Sequence, residues 1–272
     1  MSAIETWGEM VRVEHEQSDR MRGVRPTDTW NQLAAQFKAD PHRTDDRVVE
    51  ELRSRMMPGE TLLDVGAGGG RLALPLALTC RMVTAVEPSP SMCAVLRETA
   101  HEYNIENVVI VEAGWLEASV EPADVVLCSH VVYVIEDIGA FVRKMDRHAR
   151  RMVLAIVFRS SPLSYVYGLW EQVHGEQRHA LPALPQFLPV LEELGISPEV
   201  TELAEQPRRE FDSYEQARET IARQLYVAPG TEAMGRLEQA LESELQDAGG
   251  VWRVEGTQPP RPCIVAWETD GR

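Results

Sequence analysis

Between Thr61 and Arg71 the chain reads Thr-Leu-Leu-Asp-Val-Gly-Ala-Gly-Gly-Gly-Arg. A short apolar run enters a glycine loop, and a helical pattern leaves it. An apolar strand without polar alternation is buried on both faces, as in parallel sheets covered by helices. The glycines permit positive φ and let backbone approach a ligand closely. The helix N-terminus behind them favours a carboxylate or a phosphate.

The alternation continues downstream. Strands are predicted over Met82–Glu87, Val108–Glu112, Asp124–Ser129 and Met152–Phe158. Helices are predicted over Arg71–Cys80, from Pro88–Pro90 to about Tyr103, and over Glu136–His148. This is an α/β pattern with a mostly parallel sheet. Pro75 removes a backbone donor inside the first of these helices, so a kink or a late helix start is expected.

Residues 1–57 read as a polar helical leader or lid with too few core residues to stand alone. Asp28 or Thr29 is a cap for a helix starting near Trp30, and a second helix runs from about Thr44 to Met57 after the break at Asp40-Pro41. Residues 58–158 form the ligand-binding core. Residues 159–272 supply cap helices and the remaining strands of the same domain, with helices over Gln186–Leu194, Ser213–Val227 and Thr231–Asp247 and strands over Glu199–Ala204 and Ile264–Thr269.

Three details sharpen the glycine loop. No Gly-Lys-Ser/Thr follows it, which excludes a nucleoside-triphosphate loop. Arg71 stands where a dinucleotide fingerprint has its third glycine. Asp64 precedes the first glycine by two residues, and a buried carboxylate there repels a pyrophosphate but attracts an ammonium or sulfonium. Glu87 ends the second strand, where an acid accepts ribose hydroxyls in doubly wound nucleoside sites.

Leu62–Leu72, Val86-Glu87-Pro88-Ser89-Pro90-Ser91-Met92 and Asp124–Tyr133 resemble the successive motifs of class I S-adenosylmethionine-dependent methyltransferases. The resemblance covers about residues 28–158. It implies a Rossmann-like, doubly wound sheet of seven strands with the last antiparallel, and S-adenosyl-L-methionine as cofactor. It also implies that Asp64, Gly66, Ala67 and Gly68 face the methionine end, that Glu87 binds ribose, and that Pro88 and Met92 flank adenine. Leu116 and Ser129 belong to the same cofactor set. Where many members carry an acid for the adenine amino group, this chain has Gly114 followed by Trp115. Trp115 is therefore expected to stack on adenine, with backbone groups or Glu117 replacing the polar contact.

Methyl transfer needs in-line approach and exclusion of water more than a dedicated base. His130 is the candidate general base, because an ordinary imidazole titrates near neutrality and lies here at the carboxyl end of a strand. Tyr133 is grouped with it. After Phe158 an aromatic-rich stretch nominates Tyr165, Tyr167, Trp170, His174 and Arg178 for a substrate pocket, joined by Trp30 of the leader, which with Phe37 is also expected to close over the cofactor. His174 and His179 are five apart, which does not favour one helical face, so no metal site is expected.

Acidic side chains number 43 against 27 basic ones, a formal charge of −16. That field repels nucleic acid and anionic lipid. No apolar run reaches the roughly 20 residues of a membrane span, and residues 1–25 carry no signal-peptide pattern. Cys80, Cys93, Cys128 and Cys263 read as reduced thiols of a cytoplasmic protein. The expected partner is a small-molecule acceptor, and the amphipathic helices after residue 213 could also form a homodimer surface. Alternatives are a protein or peptide methyltransferase and a non-catalytic S-adenosylmethionine or S-adenosylhomocysteine binder. A nicotinamide oxidoreductase is disfavoured by Asp64 and Arg71.

Overall fold

The computed structural model describes residues 1–23, 28, 30, 31 and 33–269. Nine strands run in chain order: β1 Thr61–Val65, β2 Met82–Val86, β3 Val108–Val111, β4 Ala123–Ser129, β5 Ala149–Phe158, β6 Glu199–Glu202, β7 Leu245–Asp247, β8 Trp252–Val254 and β9 Pro262–Glu268. Nine α-helices accompany them among the described residues: α1 Ala3–Arg22, α2 Arg47–Arg55, α3 Ala73–Ala77, α4 Pro90–Glu102, α5 Ile138–His148, α6 Tyr167–His174, α7 Leu184–Glu193, α8 Tyr214–Gln224 and α9 Glu232–Glu244.

Seven strands form one sheet in the order β3-β2-β1-β4-β5-β9-β6. The first five are parallel, and β9 runs antiparallel between β5 and β6. This is the doubly wound, mostly parallel sheet that the resemblance implies. The strand order reverses between β1 and β4, so the crevice of the sheet opens at their carboxyl ends. The glycine loop and Ser129-His130 leave the sheet at that point.

Both faces are covered. On one, Trp7 and Val11 of α1, Phe141 of α5 and Phe187 of α7 close over the sheet. On the other, Leu52 of α2, Leu74 of α3 and Leu96 of α4 do so. A third apolar cluster lies off the sheet, where Trp170 of α6, Ile221 of α8, Leu237 of α9 and Val254 of β8 form the cap.

In the leader Trp7 and Val11 are fully buried, and Trp7 Nε1 donates to the Ile135 carbonyl at 2.9 Å. Several expectations are corrected. No α-helix starts near Trp30. A turn there leads into a single 3-10 turn over Ala34–Phe37, and Thr29 lies outside the described residues. Pro75 sits inside α3, which begins only at Ala73 and spans five residues, the late start expected of that proline. α9 stops at Glu244, because Gly249 and Gly250 take φ of 87° and 100° and turn the chain back to pair β7 with β8. Asp247 Oδ1 accepts both glycine N–H groups and fixes that turn. Among the described residues no helix is long and apolar enough to cross a membrane.

Candidate active site

The glycine loop is stapled to β2, with Gly66 and Ala67 N–H donating to the Val86 carbonyl at 2.8 and 3.1 Å. Gly66 has φ of 76°, and a Cβ there would collide with Val131 Cγ2. Gly68 has φ of 56°, and nothing lies within 4 Å of a Cβ added to it. The loop is therefore packed tightly on one side and open on the other. Over its next residue lies the leader, since a Cβ on Gly69 would sit 3.1 Å from Phe37 Cβ. Ala67 is buried against the loop.

Asp64 is the penultimate residue of β1, just before this loop. It is 2% exposed, and its carboxylate accepts no hydrogen bond from a described residue. Burial, then the charge of Glu87, push its pKa up to about 7, while Arg71 pulls the other way. Arg71 is engaged elsewhere, as its Nη1 donates to Asp46 Oδ2 at 2.9 Å. Asp46 also pairs with Arg43 at 2.8 Å and caps α2 through Val48 and Val49 N–H. The buried acid thus has no dedicated counter-cation.

Glu87 leaves β2 with its carboxylate divided between two backbone donors. Oε2 accepts Gly68 N–H at 2.8 Å and Oε1 accepts Ser89 N–H at 2.9 Å. Burial raises its pKa, and these bonds act against the rise. Ser89 caps α4 by accepting Met92 N–H at 3.2 Å, and its hydroxyl donates to Asp28. Asp28 is held below the usual carboxylate range, chiefly by the Ser91 hydroxyl. Pro88 is exposed at this edge and Met92 buried below it. Two acids, a glycine cradle open at Gly68 and backbone amides suit a ligand that is cationic at one end and carries hydroxyls at the other.

On the other side of the crevice β4 runs through half-buried Ser129 into His130, which takes φ of 58°. His130 N–H donates to the Ile156 carbonyl at 2.9 Å, and the imidazole stacks on Phe158 with ring centres 4.1 Å apart. Its Nδ1 lies 3.0 Å from the Tyr133 hydroxyl oxygen, which accepts Phe158 N–H at 2.7 Å. Burial, then the charge of Arg71, lower the His130 pKa to about 4. Burial raises that of Tyr133. Both side chains are neutral at physiological pH. Phe158 also lines a cleft of about 790 Å³ between the sheet edge and the cap, shared with Ser161, Tyr165, Arg208, Arg209 and Arg261.

Of the residues expected in a substrate pocket, only Tyr165 lines this cleft, and its hydroxyl donates to Gln224. Tyr167 donates to the Pro162 carbonyl at 2.9 Å. Trp170 is 1% exposed inside the cap, and His174 Nε2 bonds the Leu225 carbonyl at 2.8 Å. Arg178 is buried in an ion pair with Glu14, under the face of Trp170 at 4.1 Å. Trp170 and His174 help build the cap, and Arg178, stacked on the Trp170 ring, ties it to α1. Trp30 is exposed and packs edge-on against Phe37 at 5.3 Å, near the loop.

Trp115 is corrected as well. It is 5% exposed and donates Nε1 to the Phe141 carbonyl at 3.2 Å, with Phe141 and His148 against its edges and Lys144 Nζ 4.6 Å above the ring. No face is free for adenine. Leu116 is exposed, and its carbonyl accepts Lys144. Glu117 folds its carboxylate back over Gly114. Sequence reasoning missed Val131, Phe158 and the arginines of residues 208–209. Only the position of Phe158 at a strand end gave a signal for any of them.

Residues 63–157 match the family model described as a methyltransferase domain. The ubiquinone biosynthesis O-methyltransferase of Rickettsia conorii is 31% identical over 116 residues, which is 40% of this chain and 38% of that protein. The ribosomal protein L11 methyltransferase of Alkaliphilus oremlandii is 31% identical over 135 residues, 43% of each. The chain thus spans less than half the length of either relative. A crystal structure of magnesium protoporphyrin IX methyltransferase from Synechocystis with bound S-adenosylhomocysteine superposes with a TM-score of 0.52 at 14% identity, covering 97% of this chain and 98% of that one. That likeness is one of fold.

Proposed function

We propose, from the match of residues 63–157 to a methyltransferase domain and from the fold of class I S-adenosylmethionine-dependent methyltransferases, that the chain transfers a methyl group from S-adenosylmethionine to a small-molecule acceptor. The observation that carries the cofactor reading is Asp64, a buried carboxylate without a dedicated counter-cation two residues before the glycine cradle.

The cofactor of this family supplies a methyl group on a sulfonium. Asp64 and the loop residues Gly66 to Gly68 would hold the positively charged methionine end, Glu87 the ribose, and Met92 with Pro88 the adenine. The chain's remaining task is to position an acceptor and exclude water. The cleft beyond Phe158 has the size of a small-molecule site. Its walls come from the sheet edge and the cap, and the overall charge of −16 works against polyanionic substrates.

The test has two parts. Calorimetry with S-adenosylhomocysteine, with NAD as control, measures the cofactor site, and selective binding of NAD would sink the reading. Incubation with methyl-labelled donor and fractionated cell extract then locates the product. Label in the low-mass fraction supports a small-molecule acceptor. Label in polypeptides would make this a protein methyltransferase, and binding without transfer would make it a non-catalytic binder.

A further inference from the structure

We propose that His130 is not a base but an acceptor-binding hydrogen-bond donor, its proton held on Nε2 by Tyr133, and that the protein therefore takes acceptors presenting an oxygen lone pair beside the methylated atom. The part concerning acceptors rests on the methyltransferase reading.

The argument begins with the Tyr133 hydroxyl, which is buried and has one proton to place. Its oxygen already accepts Phe158 N–H at 2.7 Å. Among the described residues its other partner is His130 Nδ1, at 3.0 Å. If Nδ1 carried a hydrogen, the oxygen would receive two donors and its own O–H would have no acceptor. A stranded buried donor is the costlier arrangement. The hydroxyl therefore donates to Nδ1, which leaves the neutral ring protonated on Nε2.

Nε2 makes no hydrogen bond to a described residue, yet it is not among the sealed, unpartnered side-chain atoms of the described residues, Arg53 Nε and Trp170 Nε1. It is the nitrogen left for a ligand. The ring stands at the junction of two features. Next in sequence is Val131, which packs on Gly66, while Phe158, stacked under the imidazole, lines the cleft. The ionisable groups around the pair are Arg71 on the glycine-loop side of His130, and Cys128 and Cys263 beside Tyr133. Arg71 and burial both oppose protonation of the ring. A neutral N–H with a fixed tautomer can orient a carbonyl, carboxylate or ether oxygen, and it has no lone pair with which to remove a proton.

The experiment is two-bond ¹⁵N–¹H correlation on the ¹⁵N-labelled full chain between pH 6 and 8, with the His130 signals assigned by their loss in His130→Gln. The expected spectrum has bare Nδ1 and protonated Nε2, and Tyr133→Phe should let both tautomers appear. Protonated Nδ1 in the unaltered chain overturns the proposal. With an acceptor in hand, His130→Leu should raise KM by about tenfold, the scale of one hydrogen bond. His130→Gln, which keeps an N–H donor, should stay near the parent. A fall of kcat alone, with a pH profile governed by a histidine ionisation, overturns it too. The tautomer measurement needs no acceptor, so its failure is read separately from failure of methyl transfer.

Discussion

Val131 fills the space that a side chain at Gly66 would need. The two come from loops after different strands, β1 and β4, and their contact closes the sheet's crevice on its inner side. Gly66→Ala should destabilise the fold by about 2–5 kcal/mol, combining a left-handed backbone penalty with overpacking. Affinity for S-adenosylhomocysteine should fall with it. Adding Val131→Ala should return only the packing part, since φ of 76° remains unfavourable. Denaturant unfolding of the single and double variants checks this. Full recovery in the double variant would refute the backbone part.

Cofactor binding should depend on pH with Asp64 in the proposed site. With its pKa pushed up to about 7, much of the free protein carries a neutral Asp64 just below neutrality. Affinity for a sulfonium-bearing cofactor should therefore rise with pH through about 7 and then level off. Proton release should accompany binding near pH 6.5. Calorimetry in buffers of different ionisation enthalpy measures both effects, and Asp64→Asn should abolish them along with most of the affinity.

Asp64 and His130 should also bend the stability curve in opposite directions. Asp64 is raised above an unfolded value near 4, so its contribution is intact below pH 4 and lost as pH rises to about 7. His130 is depressed from about 6.5, so its contribution is intact above that value and lost as pH falls toward 4. Each slope approaches about 1.4 kcal/mol per pH unit in the shared window of roughly pH 4 to 6.5. The two cancel in the parent chain. Asp64→Asn should expose a slope that rises with pH, and His130→Gln one that falls. Unfolding free energies measured across that window in the two variants should diverge, and parallel curves would contradict the assignment.

The buried pair of Arg178 and Glu14 ties the cap to the leader. Arg178 also donates to Gln17 and Ser18 of α1. Glu14→Gln leaves an uncompensated buried guanidinium and should cost about 3–5 kcal/mol. Replacing both partners by leucine and methionine should recover much of that loss. A single variant as stable as the parent in thermal unfolding would show that the pair is solvated.

Trp115→Leu separates packing from binding. Loss of a buried indole should lower stability by about 3 kcal/mol. S-adenosylhomocysteine affinity measured well below the melting temperature should change less than threefold, whereas an adenine-stacking residue would lose far more.

The parallel core was legible because β1, β2 and β4 are almost wholly apolar and the loop glycines mark one turn type. Asp64 and Glu87 could be placed because strand ends in such sheets converge on one edge. Side-chain direction was not legible. Trp115 stands four residues past the end of β3, and whether it turns to the edge or under α5 depends on Phe141 and Lys144, which lie about 26 to 29 residues away. The same holds for Arg178, whose partner Glu14 is 164 residues distant. The β7–β8 hairpin was hidden because Leu245 continues the helical spacing of Leu237 and Leu241, and only pairing with Trp252–Val254 reveals the strand.

The cap is assembled from two excursions of the chain, one after β5 and one between β6 and β9, and they share an apolar cluster apart from those on the sheet. On the proposed reading, the cap wall of the cleft, at residues 160–169 and 206–210, can be varied without touching the glycine loop or His130, so directed evolution toward new acceptors is best begun in those two excursions.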